Sequence, residues 1–304
     1  MEFKDTSKLS DEKFVQFFEK RVDETIKKFR LCNKNQKILV AASGGKDSTV
    51  LLHVMKILGF NVEAVTVNSH IGCYSDESIE NLKSFCSNEK IKLYEISVRK
   101  EFGCSVCYLV SVMEERGMKK SSCSVCGTLR RYLLNKFATK NKANVILTGH
   151  NLDDEADGMM MALFMGNTKQ IARLGPITTK SDFIQRAKPL YFLFEDEVER
   201  YSKIKKFDVH YGWCPCSTKG TRRFYYELEL SPERKFNLVK NTLEKTPSLR
   251  KKYLNSEVKS CSICHEPASN EICQTCNILS IVKDISKNVD LKKEERIQQK
   301  LVCK

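Results

Sequence analysis

The sequence predicts an α/β fold built on a doubly wound, mostly parallel sheet. Three observations carry that expectation. Short apolar runs bounded by turn residues alternate with stretches of helical periodicity, which implies right-handed crossovers between parallel strands. A glycine-rich turn joins the first such run to the first helix that follows it. Near the C-terminus a cysteine-dense segment has no periodicity at all, so a small separate module follows the sheet domain.

The elements follow in chain order. Residues 11–30 place Phe14, Phe18, Val22, Ile26 and Phe29 at helical spacing, with Lys, Arg and Glu between them, and predict an amphipathic docking helix. Lys37–Ala42 is a buried strand. After Ser43–Ser48, residues Val50, Leu51, Val54, Met55 and Leu58 give a helix that stops at Gly59. Val62–Val67 is a second strand, Ser78–Ser87 a helix and Ile91–Val98 a third strand. Leu129–Thr139 is a helix, Asn144–Thr148 a fourth strand and Asp153–Phe164 a further helix. Beyond Pro189 the pattern is helical at Glu195–Lys206, Glu233–Lys245 and Leu249–Leu254. Lys259–Cys276 lacks core-forming residues, so metal must substitute for a core there. Ile278–Lys304 is charged and reads as a helix or a loose tail.

Composition bounds the function. With 304 residues, 41% hydrophobic and 30% charged, the chain can bury a sizeable core. The longest apolar run, Met159–Met165, is far short of the roughly 18 residues of a membrane span. No apolar region follows the N-terminus, so a cytoplasmic protein is expected. A net charge of +14 points to a polyanionic partner, nucleic acid before membrane.

Fourteen cysteines stand out in such a chain. In a reducing compartment they serve metal or redox chemistry rather than structural disulfides. Eight form Cys-x-x-Cys pairs at 104/107, 123/126, 261/264 and 273/276, and two form Cys214-Pro-Cys216. Cys32, Cys73, Cys86 and Cys303 stand alone and are expected as buried thiols.

Ser43-Gly44-Gly45-Lys46-Asp47-Ser48 lies between a strand and a helix. Two glycines let several backbone N–H groups converge on one anion, and the helix N-terminus adds its dipole. Lys46 supplies a charge, and Ser43 and Ser48 supply hydroxyls. Asp47 is unexpected beside phosphate unless it holds magnesium. The string does not fit the Walker A pattern. Thr148-Gly149-His150-Asn151-Leu152-Asp153-Asp154-Glu155-Ala156 also follows a strand and opens a helix. Its carboxylates are either helix caps or part of a nucleotide pocket at the carboxyl ends of the strands.

Ser122-Cys123-Ser124-Val125-Cys126 sets two thiols three residues apart at a helix start, followed by Arg130 and Arg131. That setting favours thiolate, which suits a redox pair, zinc or an iron–sulfur cluster. Two ligands are too few for a metal, and Cys214 is a candidate third. Cys261, Cys264, Cys273 and Cys276 have the spacing of a closed tetrahedral zinc site, with His265 a bystander. Basic clusters at Lys119-Lys120, Arg130-Arg131, Lys203/Lys205/Lys206, Lys219/Arg222/Arg223 and Arg250-Lys251-Lys252 suit a phosphate-tracking surface.

The Ser-Gly-Gly-Lys-Asp-Ser string resembles the fingerprint of the PP-loop ATP pyrophosphatases. Adding Cys123/Cys126, Gly149–Ala156, the later Cys-Pro and the C-terminal double Cys-x-x-Cys, the chain is similar over roughly residues 20–280 to the TtuA-type tRNA 2-thiouridine synthetases. The resemblance implies an adenine nucleotide alpha hydrolase-like fold and four parts: an N-terminal helix (1–30), a thiolation domain (31–255), a zinc-ribbon module (256–280) and a charged tail (281–304). It implies ATP-dependent 2-thiolation of a tRNA uridine, the wobble position favoured. The C2 carbonyl oxygen is adenylated, and sulfide carried by an iron–sulfur cluster then displaces AMP. Lys46 and Asp47 fall at catalytic positions. Ala41, Ser43, Gly44, Gly45, Lys46, Asp47, Ser48, Val67, Arg130, Gly149 and Asp154 fall where the family lines its ATP pocket. Cys123, Cys126 and Cys214 fall where it holds a 4Fe–4S cluster, leaving one iron open for a hydrosulfide. ATP, Mg2+, a 4Fe–4S cluster and Zn2+ are the implied cofactors. The implied partners are tRNA and a sulfur donor, which is left open between free sulfide, a ubiquitin-like carrier and a persulfide, in a homodimer with no membrane.

Two features differ from that family: no N-terminal Cys/His finger precedes Cys32, and Cys104/Cys107 are additional. The additional pair is open to three readings: buried thiols, a redox couple or a rival cluster site. Cys216 is an alternative to Cys214. Other functions consistent with the residues are an AMP-forming ligase with an amine nucleophile, a TtcA-like tRNA cytidine thiolase, and a non-enzymatic zinc-ribbon RNA-binding protein.

Overall fold

The computed structural model describes residues 1–118, 120–178, 184–211, 214–216, 230–253, 259–268, 270–285 and 289–300. Lys119, Lys219, Arg222, Arg223, Leu254 and Cys303 lie outside the described residues. A six-stranded sheet forms the centre, in the order β3-β2-β1-β4-β6-β5. Its strands are β1 (Ile38–Ala41), β2 (Val62–Asn68), β3 (Leu93–Ser97), β4 (Val145–Thr148), β5 (Ile177–Thr178) and β6 (Gln185–Ala187). All neighbours pair in parallel except the β5–β6 edge, which is antiparallel. In β1, Ile38 lies opposite Val62 on one side and Val145 on the other. Ile38, Leu39 and Val40 are buried because helices cover both faces, which is why the strand reads as a continuous apolar run.

The helices are α1 (Asp11–Phe29), α2 (Lys46–Ile57), α3 (Gly72–Asn88), α4 (Val98–Phe102), α5 (Val106–Glu115), α6 (Ser122–Lys140), α7 (Leu152–Phe164), α8 (Thr168–Arg173), α9 (Glu195–Ile204), α10 (Pro232–Tyr253), α11 (Gln274–Ile285) and α12 (Leu291–Lys300). A two-stranded ribbon, β7 (Lys259–Ser260) with β8 (Pro267–Ala268), precedes α11. Phe14, Phe18, Val22 and Ile26 of α1 are buried, and Phe18 stacks on Tyr201 of α9 at 4.3 Å between ring centroids. The same apolar stripe that forms α1 thus fixes it to the sheet domain.

Several expectations change. α6 begins at Ser122, well before Leu129, because Ser121 caps it by accepting the backbone N–H of Ser124. Cys123 and Cys126 therefore lie inside its first turns. The two helices expected on either side of Pro247 are one helix, α10. Phe236 and Val239 anchor it, and Arg250 donates to the carbonyls of Ala172 and Leu174, so packing on α7 and α8 overrides the helix-breaking residue. The C-terminal segment is docked. Glu294 of α12 accepts the backbone N–H of Ser105 at 2.8 Å and bonds Arg99 at 3.1 Å. Gln298 accepts the Gly72 N–H and donates to the His70 carbonyl. Cys73, expected as a lone thiol, is disulfide-bonded. Among the described residues no helix is long and apolar enough to cross a membrane.

Candidate nucleotide and thiol site

The strand order creates the site. The chain moves outward from β1 to β2 and β3, then returns to place β4 on the opposite side of β1. The loops leaving the carboxyl ends of β1 and β4 therefore diverge and open a crevice between them. Those loops are the two motifs, Ser43–Gly45 and Gly149–Asn151. Ala41 ends β1, and Val67 sits near the end of β2.

Local geometry explains the loop residues. Gly44 has φ +84°, and a Cβ there would lie 2.0 Å from the carbonyl oxygen of Ser78 in α3. Only glycine fits. Gly45 caps α2 with an ordinary φ of −83°. Ser48 holds the turn closed: its hydroxyl accepts the Ser43 N–H and donates to the Gly45 carbonyl, both at 3.1 Å. A Cβ on Gly149 would lie 2.9 Å from the Asp47 carbonyl carbon, so the two motifs meet backbone to backbone.

The charged groups form one network. Lys46 Nζ lies 2.9 Å from Glu195 Oε1 and 3.3 Å from Asp47 Oδ2. Burial alone lowers the Lys46 ammonium, but Asp47 and Glu195 outweigh it and hold it above its ordinary value. Burial raises the Asp47 carboxyl, against the opposing pull of Lys46 and of Asn151, which donates to Asp47 Oδ1 at 3.1 Å. Asn151 also caps α7 with Asp154 in a reciprocal capping box. Asp154 is thus in a cap. Asp153 accepts the Glu195 N–H at 2.8 Å and pairs with Lys235 at 2.6 Å, tying α9 and α10 to this corner.

The thiols are adjacent. Gly45 forms a backbone bridge with His210, four residues before Cys214 in the chain. The Tyr74 ring packs edge-on to His210 at 5.2 Å. Burial raises the Tyr74 phenol; Cys214 and Cys126 push it the same way, while Arg130 and Lys46 pull it down. One phenol therefore lies within electrostatic reach of Cys214, Cys126, Arg130 and the phosphate-loop lysine. Cys214 is raised by its hydrogen bond to Cys216 and by burial, and Arg130 opposes the rise. Cys123 Sγ lies 3.7 Å from the Cys216 carbonyl, and Cys126 Sγ is 3.6 Å from Ser69 Oγ.

Of the additional pair, Cys104 is buried and Cys107 is half-buried. Burial pushes the Cys104 thiol up to about 11. Cys107 Sγ instead meets Cys216 Sγ at 3.9 Å. Cys104-x-x-Cys107 spacing suggests a pair within one motif, but the contact is between motifs 109 residues apart.

Away from the crevice, the sulfur atoms of Cys261, Cys264, Cys273 and Cys276 all lie within 4.8 Å of one another. Cys264 and Cys273 are 3.7 Å apart, and Cys261 accepts the Cys273 backbone N–H at 3.3 Å. Glu195 and Tyr74 are site residues that carry no local sequence signal, and Asn151 lies within the Thr148–Ala156 motif without being singled out by it.

Comparison with known proteins agrees with this geometry. A PP-loop domain match spans residues 14–213. The tRNA-5-methyluridine(54) 2-sulfurtransferase of Pyrococcus horikoshii is 35% identical, covering 94% of this chain and 92% of that protein. The cytoplasmic tRNA 2-thiolation protein 1 of Candida glabrata is 29% identical, over 91% and 81%. Among solved structures, the U34-tRNA thiolase NcsA from Methanococcus maripaludis with its [4Fe-4S] cluster has a TM-score of 0.72 at 27% identity, covering 88% and 87%. A chain matched along almost its whole length by these proteins, with both crevice loops in place, belongs to the PP-loop family and, within it, to the TtuA-type tRNA 2-thiouridine synthetases.

Proposed function

We propose that this protein is an ATP-dependent tRNA uridine 2-sulfurtransferase. The observation that carries the reading is the meeting of the phosphate loop and the cysteines through the Gly45–His210 bridge and Tyr74. It supports a reading in which an activated nucleotide and a sulfur site share one crevice. The names of the relatives supply the substrate class.

ATP binds with its phosphates on the Ser43–Gly45 backbone and the α2 N-terminus. Lys46 exchanges Glu195 for phosphate oxygens, and Asp47 would hold a magnesium ion, which would neutralise charge on the leaving pyrophosphate. The C2 oxygen of uridine attacks the α-phosphorus, pyrophosphate leaves, and the carbonyl oxygen becomes part of a good leaving group. Sulfide adds to C2, and AMP departs with that oxygen. Cys123, Cys126 and Cys214 have the all-thiolate donor set that an iron–sulfur cluster takes, and Arg130 beside Cys214 stabilises its thiolate. When bound, the cluster supplies an iron that carries sulfide. Cys261, Cys264, Cys273 and Cys276 hold a structural zinc, because four thiolates close its coordination and leave no position for chemistry. The basic surface binds tRNA phosphates.

The test is anaerobic reconstitution with iron and sulfide, followed by thiolation of tRNA transcripts in which U34 or U54 is replaced by cytidine in turn. Cys123→Ala, Cys126→Ala and Cys214→Ala should each lose iron and thiolation while binding ATP. Thiolation that survives without iron, or AMP formation that depends on ammonia, would overturn the reading in favour of the amine ligase.

A further inference from the structure

The Cys107–Cys216 contact has no part in the chemistry above. Both thiols are free and half-buried, and their sulfur atoms are 3.9 Å apart. A disulfide bond is about 2.05 Å long, so a closure of about 2 Å joins them. Cys216 also borders the cluster cysteines, since its carbonyl lies 3.7 Å from Cys123 Sγ. The pair is therefore joined through the Cys216 backbone to the cysteines assigned to sulfide delivery.

We propose that Cys216 and Cys107 form a sulfur-releasing dithiol, which takes sulfane sulfur from a low-molecular-weight persulfide and frees it as hydrosulfide inside the crevice. The Cys216 thiolate attacks the outer sulfur of R–S–SH. A Cys216 persulfide forms and RS⁻ leaves. The Cys107 thiolate then attacks the inner sulfur of that persulfide. The Cys107–Cys216 disulfide forms, and HS⁻ leaves. The sulfane sulfur is reduced to sulfide as the two thiols are oxidised, and an external dithiol reductant restores the pair. Cys216 is assigned the persulfide because its backbone carbonyl contacts Cys123 Sγ. Cys107, held in the first turn of α5 with its sulfur against that of Cys216, resolves it. Use of the released sulfide rests on the thiolation reading, but its release needs neither ATP nor tRNA, so the two fail separately.

The experiment treats reduced, desalted full-length protein with one equivalent of glutathione persulfide, without reductant. Hydrosulfide is measured, and peptides are mapped by mass under non-reducing conditions. Wild type should release hydrosulfide and yield the Cys107–Cys216 disulfide peptide, and Cys104→Ser should match it. Cys107→Ser should release at least about tenfold less and retain one extra sulfur on the Cys216 peptide. Cys216→Ser should show neither release nor a persulfide. Wild-type release in either of those variants, or a disulfide mapped to other cysteines, refutes the dithiol. The wild-type disulfide map decides alone should a variant fail to fold.

Discussion

Replacing Gly44 and Gly45 separately by alanine separates two kinds of demand within one loop. At Gly44 the backbone has φ +84°, and an added Cβ would lie 2.0 Å from the Ser78 carbonyl oxygen and 2.6 Å from its carbon. The left-handed conformation costs an L-residue about 1–2 kcal/mol. The clash is with α3 backbone, which has no side chain to swing away, and overpacking of that kind costs roughly 1–3 kcal/mol more. The sum is roughly 2–5 kcal/mol, a fall in Tm of about 3–8 °C at this chain size. At Gly45 φ is −83°, and the nearest neighbour of an added Cβ is Ser43 Oγ at 3.6 Å, an ordinary contact. Gly45→Ala should therefore keep the wild-type Tm within about 2 °C, since substitutions free of such clashes change stability by about 0.5 kcal/mol or less. It should still weaken ATP binding, because the methyl group sits at the mouth of the phosphate cradle. The assays are scanning calorimetry of the apo protein and titration with a non-hydrolysable ATP analogue. Equal Tm values for the two variants would show that the Gly44–Ser78 approach is not a constraint on the fold.

Asp47→Asn should abolish thiolation yet raise the apo-protein Tm at neutral pH. Burial lifts the Asp47 carboxyl above its unfolded value, so its charged form costs stability, and that cost disappears as pH falls through the folded value and the carboxyl is protonated. The gain should therefore shrink on acidification, and a loss of stability at pH 7 would contradict the sign. Changing Cys261, Cys264, Cys273 and Cys276 together to Ser should remove one zinc per chain and expose the C-terminal ribbon to protease, with iron retained; a full zinc content in that variant rules the site out. Glu294→Ala should undock α12 at a cost of about 1.5–3 kcal/mol, the range for a hydrogen bond to a charged group, read as faster hydrogen exchange at Ser105. Burial works against the Glu294 charge, but the Ser105 N–H and Arg99 hold its carboxyl below the usual range. That stability is present above the unfolded value near 4.5 and is lost as pH falls through the folded one. Exchange at Ser105 that does not change in acid would contradict it.

The sequence alone determined the features that are local or periodic. The stripe of Phe14, Phe18, Val22 and Ile26 forms a helix wherever it packs, and the apolar run at Ile38–Ala41 is a strand because both its faces are covered. Ser43–Ser48 and the paired cysteines are legible for the same reason: a phosphate turn and a tetrahedral thiolate set need particular residue types at fixed short spacing. Tertiary structure decided what lies between distant segments. The Pro247 stop signal is overruled by the packing of α10 on α7 and α8, an energy that no window around Pro247 contains. Ser121 starts α6 seven residues before Leu129 through one side-chain cap, which settles that the Cys123/Cys126 pair lies within the first turns rather than before them. Glu195 becomes the partner of Lys46 only because α9 ends its approach at the β1–β4 crevice. Cys107 shows the limit most plainly. Spacing couples it to Cys104, but the fold buries Cys104 and turns Cys107 toward Cys216, because the sheet topology and not the sequence interval fixes which thiols share a crevice.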